Sequence, residues 1–174
     1  DICTKNDVLL ILDEIPSALG RTGKMFVCEH FDVEPDMLVI GKGLGGGVFP
    51  MAALITNENL DIVEDKALGH YTHEKSSVGC AAALATIDCL TEDGLLNNAV
   101  TLGKSGLEQL EALKLKHPII HEVRGLGLFY GIDLKLNNQP ASDQADAILY
   151  HSLSNGLSYK VGGGSILTLC PPLT

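Results

Sequence analysis

The sequence predicts an α/β fold followed by a smaller, strand-rich α+β layer. Three observations predict it. Strand-length apolar runs end in charged or glycine-rich turns, long stretches with helical periodicity follow them, and the character changes near residue 115 to short strands with one helix. With 174 residues, 45% hydrophobic and 20% charged, the chain has enough apolar material for a sizeable core.

The first run, Val8 to Leu12, is closed by Asp13-Glu14 and reads as a parallel strand buried on both faces. The second, Met37 to Ile40, is closed by Gly41-Lys42-Gly43, and the third, Met51 to Ile55, follows the glycine loop at 43–47. Small and apolar residues at helical spacing mark Val78 to Leu90, and Asn97 to Leu115 continues as an amphipathic helix, with Gly94 as the break. Beyond Pro118, Val123 to Leu134 reads as a strand interrupted by glycines and Asp143 to Leu153 as a helix. Leu157 to Val161 and Ile166 to Cys170 read as short strands, and Gly162-Gly163-Gly164 as a mobile loop. The expected domains are therefore 1–115 and 116–174. The opening at Asp1, within a helix, and the ending Cys170-Pro171-Pro172-Leu173-Thr174 suggest a piece of a longer chain.

Composition excludes several functions. A formal net charge of −10 argues against nucleic acid and against anionic membranes, which both need surplus Lys and Arg. The apolar runs are too short to span a bilayer. Five scattered cysteines with no C-x-x-C pair read as thiols in a reducing, cytoplasmic setting rather than as a disulfide framework or zinc site. Two motifs imitate other chemistries. Gly41 to Gly47 lacks the residue order of a nucleotide phosphate loop, and His70 with His73 and Glu74 lacks further metal ligands, so no metal site is expected.

Ligands of open α/β sheets bind beyond the carboxyl ends of the parallel strands. Two such ends carry opposite charges, Asp13 and Lys42. Each alone could be a turn cap or a solvated side chain. Together they suit a pyridoxal-phosphate enzyme, which needs a lysine to bond the cofactor and an acid to keep its pyridine nitrogen protonated. Glycines beside Lys42 would let a cofactor approach the backbone.

The string LLILDEIPSALGRTGKMFVCEHFDVEPDMLVIGKGLGGG resembles the signature of class III pyridoxal-phosphate aminotransferases. The likeness continues through THEKSSVGCAAALA, VRGLGLFYGIDL and CPPLT. It implies fold type I, with this chain supplying the second half of the large mixed-sheet domain and most of the small C-terminal domain. It implies pyridoxal 5'-phosphate as cofactor, Lys42 as the Schiff-base lysine and Asp13 as the partner of the pyridine nitrogen. Thr72 would bind the phosphate of a partner's cofactor across a homodimer, with a small-molecule amine as substrate. Gly20 to Gly23 and Arg124 are expected to be structural, Arg124 through a salt bridge.

Three features depart from the family pattern. Pro16 stands where many members carry a glutamine. His73-Glu74-Lys75 replaces glycines after Thr72. Thr168 replaces the arginine that grips an α-carboxylate. The chain is most similar to a subgroup that resembles ammonia-lyases of 1-hydroxy-2-aminoethylphosphonate. Amino transfer is the expected reaction. The alternatives are elimination of ammonia, or a non-catalytic piece, because the phosphate cup and the stacking aromatic lie in the family's N-terminal part.

Overall fold

The computed structural model describes residues 2–63, 65–66, 72 and 74–174. The chain forms two compact units, one comprising 1–20 with 24–94 and the other 21–23 with 95–174.

In the first unit a single helical turn, α1 (Ile2–Lys5), precedes strand β1 (Ile11–Asp13). Strands β2 (Met37–Ile40) and β3 (Ala53–Thr56) complete a sheet of order β1-β2-β3. β1 and β2 run parallel with Asp13 opposite Val39, whereas β3 returns antiparallel to β2. The expectation of strands buried on both faces holds only in part. Leu38 and Ile40 of β2 are buried, but Val8, Leu9 and Ile11 are exposed, as are Leu54 and Ile55 of β3. The reason is position. β1 and β3 are the outer two of the three strands this chain supplies, so each has a strand neighbour on one side within it, whereas β2 has one on both.

Helix α2 (Ser77–Glu92) begins where the Ser76 hydroxyl accepts a hydrogen bond from the Gly79 N–H at 3.4 Å. It runs past the glycine loop after β2. A side chain added at Gly79 would meet the Phe49 ring at 2.9 Å, so glycine is the residue that allows this approach.

The second unit starts with helix α3 (Leu95–Lys116). The division at Gly94 differs from the boundary expected near 115. Ala99, Gly103 and Leu107 of α3 pack on the sheet that follows, so the helix joins the second unit by its buried face. The stretch read as one glycine-interrupted strand is a hairpin, β4 (Ile120–Leu126) and β5 (Phe129–Leu136), turning at Gly127 with φ +54°. A short strand β6 (Gln139–Pro140) pairs with β5, helix α4 (Ser142–Ser154) follows, and β7 (Lys160–Gly162) and β8 (Ile166–Leu169) close the sheet in the order β4-β5-β8-β7. The three glycines at 162–164 are the turn of the β7–β8 hairpin, with Gly163 and Gly164 in the left-handed region. Val123, Ile132, Leu134, Ala145 and Leu167 form the core of this unit between the sheet and its helices. Among the described residues no helix is long and apolar enough to cross a membrane. None of the five cysteines is in a disulfide.

Candidate cofactor site at the carboxyl ends of β1 and β2

Because β1 and β2 are parallel neighbours, Asp13 and the Gly41-Lys42-Gly43 turn lie at the same edge of the sheet. The Asp13 Oδ1 accepts a hydrogen bond from the Ile15 N–H at 3.1 Å, and its other oxygen has no partner among the described residues. Asp13 also borders a cavity of about 340 Å³ with Leu12, Glu14, Val27, Cys28 and Phe31.

Lys42 is exposed and opens a single 3-10 turn, Lys42–Gly45. Its amine makes no hydrogen bond or ion pair among the described residues. Its backbone is in the left-handed region at φ +47°. Most other non-glycine residues with positive φ are Asp or Asn, which tolerate it; Leu19, at φ +58°, and Lys42 do not share that tolerance. Such a conformation costs on the order of 1–3 kcal/mol and collects at functional turns. The two strained turns meet. A Cβ on Gly43 would lie 3.6 Å from Leu19 Cδ1, so the loops after β1 and β2 touch. Neither Gly41 nor Gly43 is required by crowding, since a Cβ at either would make only ordinary contacts. Gly46 is required, with φ +65° and the Thr86 hydroxyl 2.8 Å from its virtual Cβ.

Thr72 is an exposed turn residue, and no bond ties it to Asp13 or Lys42. Its neighbours Tyr71 and His73, like His70 of the metal-like motif, lie outside the described residues. Pro16 is exposed in the turn after β1, and Thr168 is half-buried in β8.

The sequence reading missed Glu14. Its side chain is only 4% exposed, and its two oxygens accept the Val27 N–H at 2.6 Å and the Cys28 N–H at 2.8 Å. It therefore caps the 3-10 helix Val27–His30 and fixes the loop behind Asp13. The signal was available. Successive strand residues point to opposite faces, so the second acid of the pair turns inward when the first turns out. Burial, and secondarily the Glu14 charge, push the Cys28 thiol above its usual range. Glu14→Gln puts an amide donor against a backbone N–H. It is expected to cost about 2–3 kcal/mol in urea unfolding and to speed alkylation of Cys28.

Arg21, of the Gly20-Arg21-Thr22-Gly23 loop, has a structural role. Its guanidinium donates to the carbonyls of Leu128, at 3.4 Å, and Pro171. Arg124 makes the expected salt bridge, 3.0 Å to Glu122, with both side chains about half exposed.

The chain belongs to the class III aminotransferases, whose family pattern matches residues 1–174. It is 45% identical to the (R)-1-hydroxy-2-aminoethylphosphonate ammonia-lyase of Vibrio splendidus, over 99% of this chain and 37% of that one. It is 38% identical to the acetylornithine aminotransferase of Caldanaerobacter subterraneus, over 99% and 42%. The acetylornithine aminotransferase of Elizabethkingia anophelis superposes with a TM-score of 0.89 at 36% identity, again over 99% and 42%. The fold is thus that of the fold type I enzymes, and the family cofactor is pyridoxal 5'-phosphate. The chain spans about two fifths of the length of these relatives.

Proposed function

We propose that the intact protein containing this chain is a pyridoxal-phosphate aminotransferase, moving an amino group from an amine or amino acid to a keto or aldehyde acceptor. The observation that carries this reading is the pair at one end of the parallel strands: Asp13 with a carboxylate oxygen, and Lys42 with an amine on a strained turn, both without a partner among the described residues. This donor set fits the cofactor, which requires an acid and an amine together. When bound, pyridoxal phosphate supplies an electron sink for the negative charge that develops at the amine carbon.

The chain's own residues divide the work. Lys42 Nζ would hold the cofactor covalently, and its free amine would move the proton at the substrate carbon. Asp13 would accept the pyridine N–H and keep that nitrogen protonated. The Thr72 hydroxyl donates to a cofactor phosphate, which we assign to the partner subunit of a homodimer. In the intact protein we assign residues 1–115 to the large domain and 116–174 to the small one, with α3 as the large-domain helix that packs on the small domain's sheet, and a cytoplasmic location that suits five cysteines outside any disulfide.

A second reading, elimination of ammonia from an aminophosphonate, is favoured by the 45% identity to the Vibrio enzyme and by Thr168 in place of an arginine. The intact protein is to be incubated with candidate amines, with and without a keto acid. Amine exchange that depends on the keto acid is expected, whereas ammonia released without any keto acid would replace transfer by elimination. A cofactor-loaded intact protein inactive in both arms would favour a non-catalytic role.

A further inference from the structure

Leu19 shares the strained backbone of Lys42. At φ +58°, a leucine costs more than the glycine or asparagine that such turns ordinarily carry. The backbone itself does not call for leucine. Its path is fixed by hydrogen bonds that any residue but proline can make. The Leu19 N–H donates to the Met25 carbonyl at 2.7 Å, and the Ala18 N–H before it donates to the Glu14 carbonyl at 2.9 Å. What leucine adds is its side chain, and the residue is buried, at 7% exposure.

That side chain has a specific neighbour. Apart from the chain on either side, a Cβ on Gly43 would meet Leu19 alone, with Cδ1 at 3.6 Å and Cβ at 4.0 Å. Leu19 therefore packs on the residue that follows Lys42. The rest of this turn is secured by other groups. Leu44 and Gly45 are buried, and Gly46 lies against Thr86. On the other side of the lysine, a Cβ on Gly41 would lie 3.4 Å from Ala52 Cβ and 3.6 Å from Ile15 Cγ2. The Leu44 N–H donates to the Gly41 carbonyl at 3.1 Å, and the Gly46 N–H donates to the Gly43 carbonyl at 2.9 Å. Lys42 and Gly43 are exposed between these supports, and the side chain that meets Gly43 is Leu19.

We propose that Leu19 is a positioning residue for Lys42: packed on Gly43, its side chain holds the lysine's turn in the left-handed conformation and so aims Nζ. One strained turn then supports the other, which accounts for a leucine where leucine is disfavoured. The packing on Gly43 belongs to the chain alone, whereas the effect on Nζ rests on Lys42 being the cofactor-holding lysine. Aim matters there, because displacing a reacting group by about 1 Å costs on the order of a hundredfold in rate.

The test compares wild type, Leu19→Ala and Leu19→Met in the intact protein. Alanine keeps the disfavoured backbone and removes the packing atoms, whereas methionine nearly conserves the volume. Without cofactor, amide hydrogen exchange reads the turn. In Leu19→Ala the Leu44 and Gly46 amides are expected to exchange about tenfold faster relative to those of β2, and in Leu19→Met at close to the wild-type rate. Equal acceleration of the turn and of β2, or none at either, overturns the proposal, since Leu19 then has no particular hold on the turn. On adding pyridoxal phosphate, the visible absorbance of lysine-bound cofactor is expected to form about tenfold more slowly in Leu19→Ala. Its kcat should fall by about tenfold to a hundredfold with KM within about twofold of wild type, and Leu19→Met should restore most of both rates. A loosened turn with both rates unchanged overturns the aiming role. A wild type that takes up no pyridoxal phosphate overturns the reading of Lys42 and the aiming role with it, while the exchange measurement still decides whether Leu19 holds the turn.

Discussion

Lys42→Ala in the intact protein is expected to lower kcat/KM by at least about a thousandfold, or roughly 4 kcal/mol of transition-state stabilisation. It should also remove the visible absorbance of lysine-bound cofactor. The expectation rests on position. Among the described residues, Lys42 has no protein partner to lose, and it stands exposed on a left-handed turn. Alanine relieves none of the backbone strain, and it leaves the contact between the two loops through Leu19 and Gly43 in place. The loss should therefore appear in chemistry and absorbance and not in unfolding. A Lys42→Ala protein that unfolds early in urea would mean that the lysine serves the fold.

The largest effect on stability is expected at Gly103. In an ordinary helix, glycine to alanine is stabilising by about 1 kcal/mol. Here the added Cβ would lie 2.5 Å from the Gly127 carbonyl oxygen and 2.6 Å from its Cα. These are backbone atoms at the β4–β5 turn, and Gly127 is itself pressed on the backbone of Thr22, so neither side can yield. Gly103→Ala should cost about 3 kcal/mol or more in urea unfolding of the intact protein. Lys104→Ala, on the exposed side of the same helix, should change stability by less than about 0.5 kcal/mol. Equal stabilities for the two variants would contradict the close approach of α3 to the hairpin.

The helices and the alternation of apolar runs were legible in the sequence because each is a local property. Helix α2 extends only slightly beyond the predicted 78–90, and α4 beyond 143–153. The pairing of strands is not local, and there the reading was incomplete. Val8 to Leu12 looks like one buried strand, yet within this chain only Ile11–Asp13 pairs, with β2 alone. Val123 to Leu134 contains a turn that Gly127 makes possible, but a glycine within a strand-like run can equally mark a bulge.

At the site, residue type and family pattern singled out Asp13 and Lys42, and parallel pairing puts both at one sheet edge. Neither could reveal the positive φ at Lys42, which depends on loops that meet only after folding. Arg124 shows the same limit. Its salt bridge was foreseeable, but the shared row with Gly131 and Thr168 exists only through the register of three strands.

The central claim is that Lys42 is the residue holding the cofactor. Reduction of the intact, cofactor-loaded protein with borohydride, then peptide mass mapping, tests it most directly. The account predicts a single pyridoxyl mass addition on the peptide containing Lys42. The same addition on a different lysine, with the Lys42 peptide unmodified, would contradict it.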